Sequence, residues 1–399
     1  MIKVYTAFTS QVDDPQAAAK EILEQLKPEQ NMLKNTVGLT VFYNEYLDSG
    51  AYQAVTAALP FDLVGGTTTF SGSCGESGEF SLAVTMLTSD DVEFRPETLS
   101  IKDKTNEEVT AEVTDLYSRL QEKEKPKMVF ICMSANPSFS GDDLVDLTNE
   151  VTTDIPLFGS FAWNTTGSTD KSFVTLNDTV STHLMAFIAF YGDFKPRFQV
   201  TTSLDVEKLV RDLALITDAE GPILKTVNDI PALEYLRKLG LVKNNEISLS
   251  QLYAVPSVVV YENGVRVVRA ILDTVKDDPS SVLVAGNMPV GEKISFALLD
   301  ADETIQSSAD VTAFFEREGI RNTINYSCAA RSWSLGSKYF AELEKFADYN
   351  KRMSESSDKP VNYIMSYSAS EICPVPDKDG NLINCLHNYT LISCILDEA

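Results

Sequence analysis

The chain has 399 residues, 44% of them hydrophobic and 23% charged, which is too long for one ordinary core and too apolar for disorder; two domains, or three, are expected. Acidic residues outnumber basic ones 58 to 33, giving a formal net charge of -25. That field repels phosphate backbones and anionic lipid, and the one lysine cluster, Lys123, Lys125 and Lys127, is interrupted by Glu124 and Pro126, so no nucleic-acid partner is expected.

The longest apolar run, Leu184 to Tyr191, suits a buried strand and is far too short to cross a bilayer. The first residues lack the charged-then-apolar order of a signal peptide, so a cytoplasmic protein without membrane insertion is expected. The six cysteines are scattered without a C-x-x-C pair, which implies neither a zinc site nor a disulfide framework. Cys373, Cys385 and Cys394 are expected around one hairpin.

After a first strand, Asp14 and Pro15 supply a cap and a first-turn proline, and Ala18, Ile22 and Leu26 mark the buried stripe of a helix. Val37 to Phe42 reads as a strand and Ala51 to Leu59 as a short helix. Leu63 to Thr69 is a strand running into a glycine-threonine corner, and Ser81 to Leu87 a further strand. Thr105 and Glu108 form a capping box for a helix with Val109, Val113, Leu116, Tyr117 and Leu120 at helical spacing. The order then returns: a strand at Met128 to Met133, a helix capped by Ser140, a strand ending at Gly159 and Ser160, and closing strands near Phe173 and at His183 to Tyr191. Gly65 and Gly159 occupy matching places, the mark of an internal duplication.

Past Gly192 a helix is expected around Val206 to Ile216, leading to Ile223–Asp229, after which Pro231 opens another helix through Leu236. Val258 to Tyr261 and Val265 to Val268 flank Asn263-Gly264, a strong hairpin signal. Strands at Ser281 to Ala285 and Lys293 to Leu299 and a helix ending near Arg317 complete a meander backed by helices. A third copy of the strand–corner–helix–strand order begins at Thr323 to Ser327. It continues through a helical pattern starting near Gly336, a strand at Val361 to Met365, a turn at Asp377 to Gly380 and a closing strand at His387 to Ile392. The fold class is α+β: mostly antiparallel or mixed sheets flanked by helices, in repeated strand–corner–helix–strand units. Clefts lined by the corners are expected where the units pack side by side.

The corners carry the chemistry. Gly65, Gly66, Thr67 and Thr68, and again Gly159 and Ser160, can offer backbone N–H groups and hydroxyls to a carboxylate, although tight turns alone require the same glycines. In the third corner Cys328 stands three residues before Arg331, and a thiol beside a guanidinium at a helix start would be the most easily deprotonated of the six. An ordinary buried strand-to-helix junction has the same spacing. Gly72, Gly75 and Gly78 do not follow the dinucleotide pattern, and Asp377 to Asn381 reads as a hairpin turn, since glycine falls too early for a calcium loop. With His183 and His387 the only histidines, a Ser-His-Asp triad has little support. Asn388 and Thr390, two apart, would share one face of the closing strand.

Val37 to Phe42 followed by Val64-Gly65-Gly66-Thr67-Thr68 resembles the N-terminal FIST domain. Ser327-Cys328-Ala329-Ala330-Arg331 with Leu335-Gly336, then Ser370-Glu371-Ile372 and His387-Asn388-Tyr389-Thr390, resemble the C-terminal FIST domain. The resemblance implies domains at residues 1–200 and 201–399, filling the chain and leaving no room for an F-box or enzymatic output domain. It implies a sensory module of signal transduction that binds a small ligand, amino acids among those proposed. It also places ligand-binding roles on the two glycine corners and on Cys328, Arg331, Ser370, Glu371, His387, Asn388 and Thr390, with Glu371 holding a ligand ammonium or pairing with Arg331. Some members of the family are haem proteins that sense nitric oxide and act on histidine kinases. Haem ligated by His387 and a histidine-kinase partner are therefore the second reading, and an enzyme with Cys328 as nucleophile is a third. Three departures stand out: Gly66 replaces a cysteine usual in the family, Phe70-Ser71 a Gly-Glu pair, and Ser370 the glycine before Glu371.

Overall fold

Three stretches of this chain repeat one programme of strands, and each lends a hairpin to another. The computed structural model describes residues 1–135, 139–152, 154–164, 166, 169–243 and 252–397. The first repeat contains β1 (Lys3–Thr9), β2 (Asn35–Phe42), β3 (Asp62–Thr67), a small hairpin of β4 (Ser71–Ser73) and β5 (Glu76–Gly78), and β6 (Leu82–Ser89). The second contains β7 (Glu93–Ser100), β8 (Met128–Met133), β9 (Leu157–Phe161), the hairpin β10 (Val174–Leu176) and β11 (Thr179–Ser181), and β12 (Leu184–Tyr191). The third opens with β13 (Arg197–Thr202). An insert follows, with β14 (Ala214–Glu220), β15 (Ile223–Val227), β16 (Ile230–Pro231), β17 (Ser257–Val260), β18 (Arg266–Arg269), β19 (Ile271–Val275), β20 (Asp278–Val284) and β21 (Lys293–Phe296). The third repeat then resumes with β22 (Asn322–Cys328), β23 (Asn362–Ser368), the hairpin β24 (Glu371–Pro376) and β25 (Leu382–His387), and β26 (Thr390–Ile395).

Each repeat builds a six-stranded sheet of one order: β1-β6-β2-β3-β10-β11, β7-β12-β8-β9-β24-β25 and β13-β26-β22-β23-β4-β5. In every sheet the two strands around the corner run parallel and the other neighbours antiparallel. The last two strands always come from elsewhere. The second repeat gives its hairpin to the first sheet, the third to the second, and the first to the third, so the exchange closes on itself. The insert forms a fourth sheet of eight strands.

The caps follow the sequence rules. Asp14 accepts from the Ala17 N–H, and Thr105–Glu108 and Ser140–Asp143 are reciprocal capping boxes. Helices cover the outer face of each sheet. The helices at Pro15–Leu26 and Ala51–Ala58 bury Ile22, Tyr52 and Val55 on the first, and those at Asn106–Gln121 and Gly141–Val151 bury Val113, Leu116 and Leu144 on the second. The helices at Ala301–Glu318 and Ala341–Ser356 bury Phe315, Phe346 and Tyr349 on the third. The inner faces meet in one central core with Val41, Phe130, Phe158, Ile188, Tyr326 and Ile392. Helices outside and a shared core inside explain why the repeats cannot be separated: each sheet is completed by another repeat's strands.

Four expectations need correcting. Only Val206–Leu209 is helical in the predicted helix; from Ala214 burial alternates and β14 begins, because a period of two outweighs the short run at helical spacing. The helical stretch after Cys328 starts at Ala329, ahead of Gly336. The closing strand does not run from His387 to Ile392. His387 ends β25 in the second sheet, Tyr389 turns with φ +52°, and Thr390 opens β26 in the third, so Asn388 and Thr390 share no strand face. Cys373 and Cys385 oppose each other on β24 and β25, but Cys394 lies on β26.

Candidate functional site

The three corners converge. Register pairs Val41 with Gly66, Cys132 with Ser160 and Tyr326 with Ser366, and these six equivalent residues surround one cavity on the pseudo-three-fold axis, with Thr67, Thr68, Phe161 and Tyr367. Its volume is about 10 Å³, room for a single water. The corners therefore meet as expected, yet the space they leave is too small for a metabolite. Gly65 and Gly159 do not face it. A Cβ on either would lie 1.9 Å or 1.8 Å from the carbonyl oxygen of Thr40 or Ile131 on the parallel neighbour, so both glycines serve close strand packing. Gly66 faces the axis, where Cys132 Sγ fills the place of its missing side chain at 2.8 Å. Thr68 bridges repeats, its hydroxyl donating to the Tyr367 carbonyl at 2.8 Å.

The third corner is polar and closed. Glu371 stands between Ser160 and His387 within the second sheet, and its carboxyl accepts from Ser368 Oγ at 2.7 Å and Thr390 Oγ1 at 3.0 Å. Burial raises this carboxyl to about 8, with the two hydroxyls and Arg331 only partly opposing, so it is mostly neutral at pH 7. A neutral buried acid does not hold a ligand ammonium. Cys328 caps the helix Ala329–Ser334, but burial, then the nearby Glu371, pushes its thiol well above the usual value. The expectation of a readily deprotonated cysteine fails for that reason, and with it the thiolate that nucleophilic chemistry needs. Asn388 donates to Ser370 Oγ at 2.8 Å and accepts from the Ala270 N–H, tying the β25–β26 turn to the insert.

Arg331 turns away from Glu371. Its guanidinium meets Glu342 at 2.6 Å, with both side chains fully buried, and also donates to Ser307 and Ser308 Oγ. Glu342 in turn accepts from Ser308, Ser327 and Tyr367. This network locks the short helix to the helices at Ala301–Glu318 and Ala341–Ser356, and the pairing expected with Glu371 is replaced by one with Glu342, a residue outside every motif.

The opposite face of the same short helix is open. Ala330, Trp333 and Ser334 wall a cleft of about 440 Å³, closed on the insert side by Tyr253, Ala254 and Leu299. Trp333 is 49% exposed, and its ring lies 5.7 Å from Trp163 and 5.3 Å from Tyr253. Trp163 follows the second corner, where its N–H donates to the Thr67 carbonyl, and Tyr389 donates its hydroxyl to the Tyr253 carbonyl. The three rings thus come from the second repeat, the third repeat and the insert. Sequence reasoning passed over them, although one signal was present: the chain has only two tryptophans, and both follow corners within a few residues.

Haem does not suit these residues. His387 is buried, its Nε2 is bonded to the Cys373 carbonyl at 3.0 Å, and burial lowers it to about 4, which leaves it neutral and shut away from the cleft beside Trp333. His183 is exposed and bonded to the neighbouring Thr182 hydroxyl. Among the described residues no helix is long and apolar enough to cross a membrane.

A sequence model of the FIST N domain matches residues 38–230, and one of the FIST C domain matches residues 232–374. No curated protein matches the chain. The two domain matches cover most of a chain whose repeats are built into one another, and the protein belongs to the FIST family of small-ligand-binding sensory domains in signal transduction.

Proposed function

We propose that this protein is a cytoplasmic sensory protein whose ligand enters the aromatic cleft beside Trp333, and that occupancy is passed to a signalling partner such as a histidine kinase. The carrying observation is the 440 Å³ cleft walled by an exposed tryptophan. Its volume falls in the range of small-molecule sites, and its walls combine apolar and aromatic surface with the Ser334 hydroxyl. Amino acids with an apolar or flat side chain, and metabolites of that shape, fit this lining: the body stacks on Trp333 and Tyr253 while a polar group reaches Ser334. The cleft also joins the parts a signal would have to move, since its walls belong to the insert and the third repeat. A ligand pressing on Tyr253 acts through its carbonyl on Tyr389, and hence on the turn between the second and third sheets.

The protein carries its own reporter. Both tryptophans sit in this cluster, so all of its tryptophan fluorescence comes from rings at or beside the cleft. Titration with a panel of amino acids and related metabolites, followed by fluorescence and calorimetry, is expected to find a compound that shifts the emission and releases or absorbs heat. Binding that leaves both tryptophans silent would place the ligand elsewhere and overturn this assignment.

A further inference from the structure

A second cleft, of about 210 Å³, lies between the helix Gly141–Val151 of the second repeat, the insert and β25. At its base Arg269 Nη2 donates to Asp142 Oδ1 at 2.6 Å, with side chains only 2% and 7% exposed. The other carboxylate oxygen accepts from the Asn287 N–H at 2.6 Å, and Nη1 donates to the Leu386 carbonyl at 2.9 Å. Gly286, at φ +129°, permits this approach: a Cβ there would stand 2.5 Å from Asp142 Oδ2. Both oxygens of Asp142 are therefore occupied, while the buried Nε–H of Arg269 has no hydrogen-bond partner. A buried donor of a charged group without a partner is costly, and it lines a cavity with room for an acceptor.

Toward solvent the polarity reverses. Asp146, one turn beyond Asp142 on the same helix, is exposed at the rim and forms no ion pair among the described residues. Burial of its inner side, then Asp142, raises this carboxyl to about 6, and Asp143 and Glu150 add further negative charge. Tyr261 lies beside Arg269 and is kept protonated chiefly by burial, so its phenol is a further donor within the cleft. Summed over these groups the local charge is negative, in a chain that is itself strongly acidic.

We propose that this cleft is a second ligand site, for a compact organic monocation that carries a primary ammonium and, two or three bonds away, a neutral oxygen acceptor, as in amino alcohols and amino amides. The acceptor oxygen meets the Arg269 Nε–H and Tyr261 hydroxyl, and the ammonium meets the Asp146 carboxylate. A ligand carboxylate is disfavoured because it would add a negative charge to a site already rich in them. The site stands apart from the aromatic cleft and does not depend on it.

The test is calorimetry and thermal shift with four probes at millimolar concentration: 2-aminoethanol, glycinamide, glycine and acetate. The first two are expected to bind and to raise Tm, glycine to bind at least several-fold more weakly than glycinamide, and acetate not to bind. Asp146→Asn, a rim substitution, is expected to weaken 2-aminoethanol by tenfold or more with the unliganded Tm unchanged or raised, Tyr261→Phe to weaken it several-fold, and Trp333→Ala to leave it unaltered. Absence of binding by both cations, glycine binding as tightly as glycinamide, or Asp146→Asn binding like the parent protein would each overturn the proposal. Loss in Trp333→Ala alone would refer the signal to the aromatic cleft and equally overturn it.

Discussion

The two faces of the six-residue helix Ala329–Ser334 differ more than any longer elements of the molecule. Its inner face carries Arg331, fully buried in a carboxylate–hydroxyl network, and its outer face carries Trp333, half exposed in a cleft. Of the residues that carry the C-terminal resemblance, Arg331, Glu371 and Asn388 lie on the inner side and in the turns behind it, where they hold elements together, and Ala330 reaches the outer face. The cleft proposed for the ligand lies on the outer face. A motif can thus mark where a site is without supplying its contacts, and a substitution on the inner face can abolish binding by loosening the wall.

The largest effect should come from breaking the inner lock. Arg331→Ala leaves Glu342 buried without its cation, and we expect a loss of about 3–5 kcal/mol, read as a large drop in the denaturant midpoint. Replacing Arg331 and Glu342 together by Met and Leu should recover much of that loss. Recovery without ligand affinity would show that Arg331 contacts the ligand, and recovery with affinity that it supports the wall.

Glu371 offers a test of similar kind, with pH as the variable. Its folded value, about 8, lies above the unfolded carboxylate value near ~4.3. The folded state therefore holds a proton that the unfolded state releases. The contribution of Glu371 is intact at and below the unfolded value, is lost steadily as pH rises, and levels off above the folded value. Between pH 5 and pH 8 this amounts to about 3 kcal/mol. Glu371→Gln, neutral throughout, should gain stability relative to the parent by about that amount across the interval, measured as the difference between two denaturation series. A constant difference would mean that Glu371 is ionised in the folded protein and could serve as an anion after all.

Much of the chain was legible before the structure, for identifiable reasons. Met128 to Met133 is a continuous apolar run buried on both faces, Val37 to Phe42 is one interrupted by Thr40 alone among polar residues, and the helix at Asn106–Gln121 announces itself by its capping box and stripe. The exchanged hairpins were not legible. β4 and β5 are three residues each, built of glycine, serine and glutamate, too short for a period and held by partners far along the chain, as where Ser73 Oγ donates to the Tyr363 carbonyl. The third corner was found in the correct place but its roles were not. Nothing in the spacing of Arg331 and Glu371 reveals that Glu342, in the first turn of the helix Ala341–Ser356, takes the guanidinium. Trp333 stands within the corner itself, but exposure of a single aromatic follows only from how three separate elements meet.

On the outer face the effects should be smaller and confined to binding. Trp333→Ala removes the principal stacking surface, and with the residue half exposed we expect stability to change by no more than about 0.5 kcal/mol while ligand affinity falls roughly 10- to 100-fold. The measurement is calorimetry, since the substitution also removes half of the fluorescent reporter. Ser334→Ala is the finest probe. Its hydroxyl donates to the Arg331 carbonyl at 2.7 Å at the end of the helix, leaving its lone pairs to accept a ligand donor. Losing one neutral hydrogen bond to the ligand costs about 0.5–1.5 kcal/mol, so a three- to tenfold weakening is expected for ligands carrying an N–H or O–H donor and none for analogues without it. A uniform loss across both kinds would instead refer the effect to the helix end, and with it to the inner face, removing Ser334 from the list of ligand contacts.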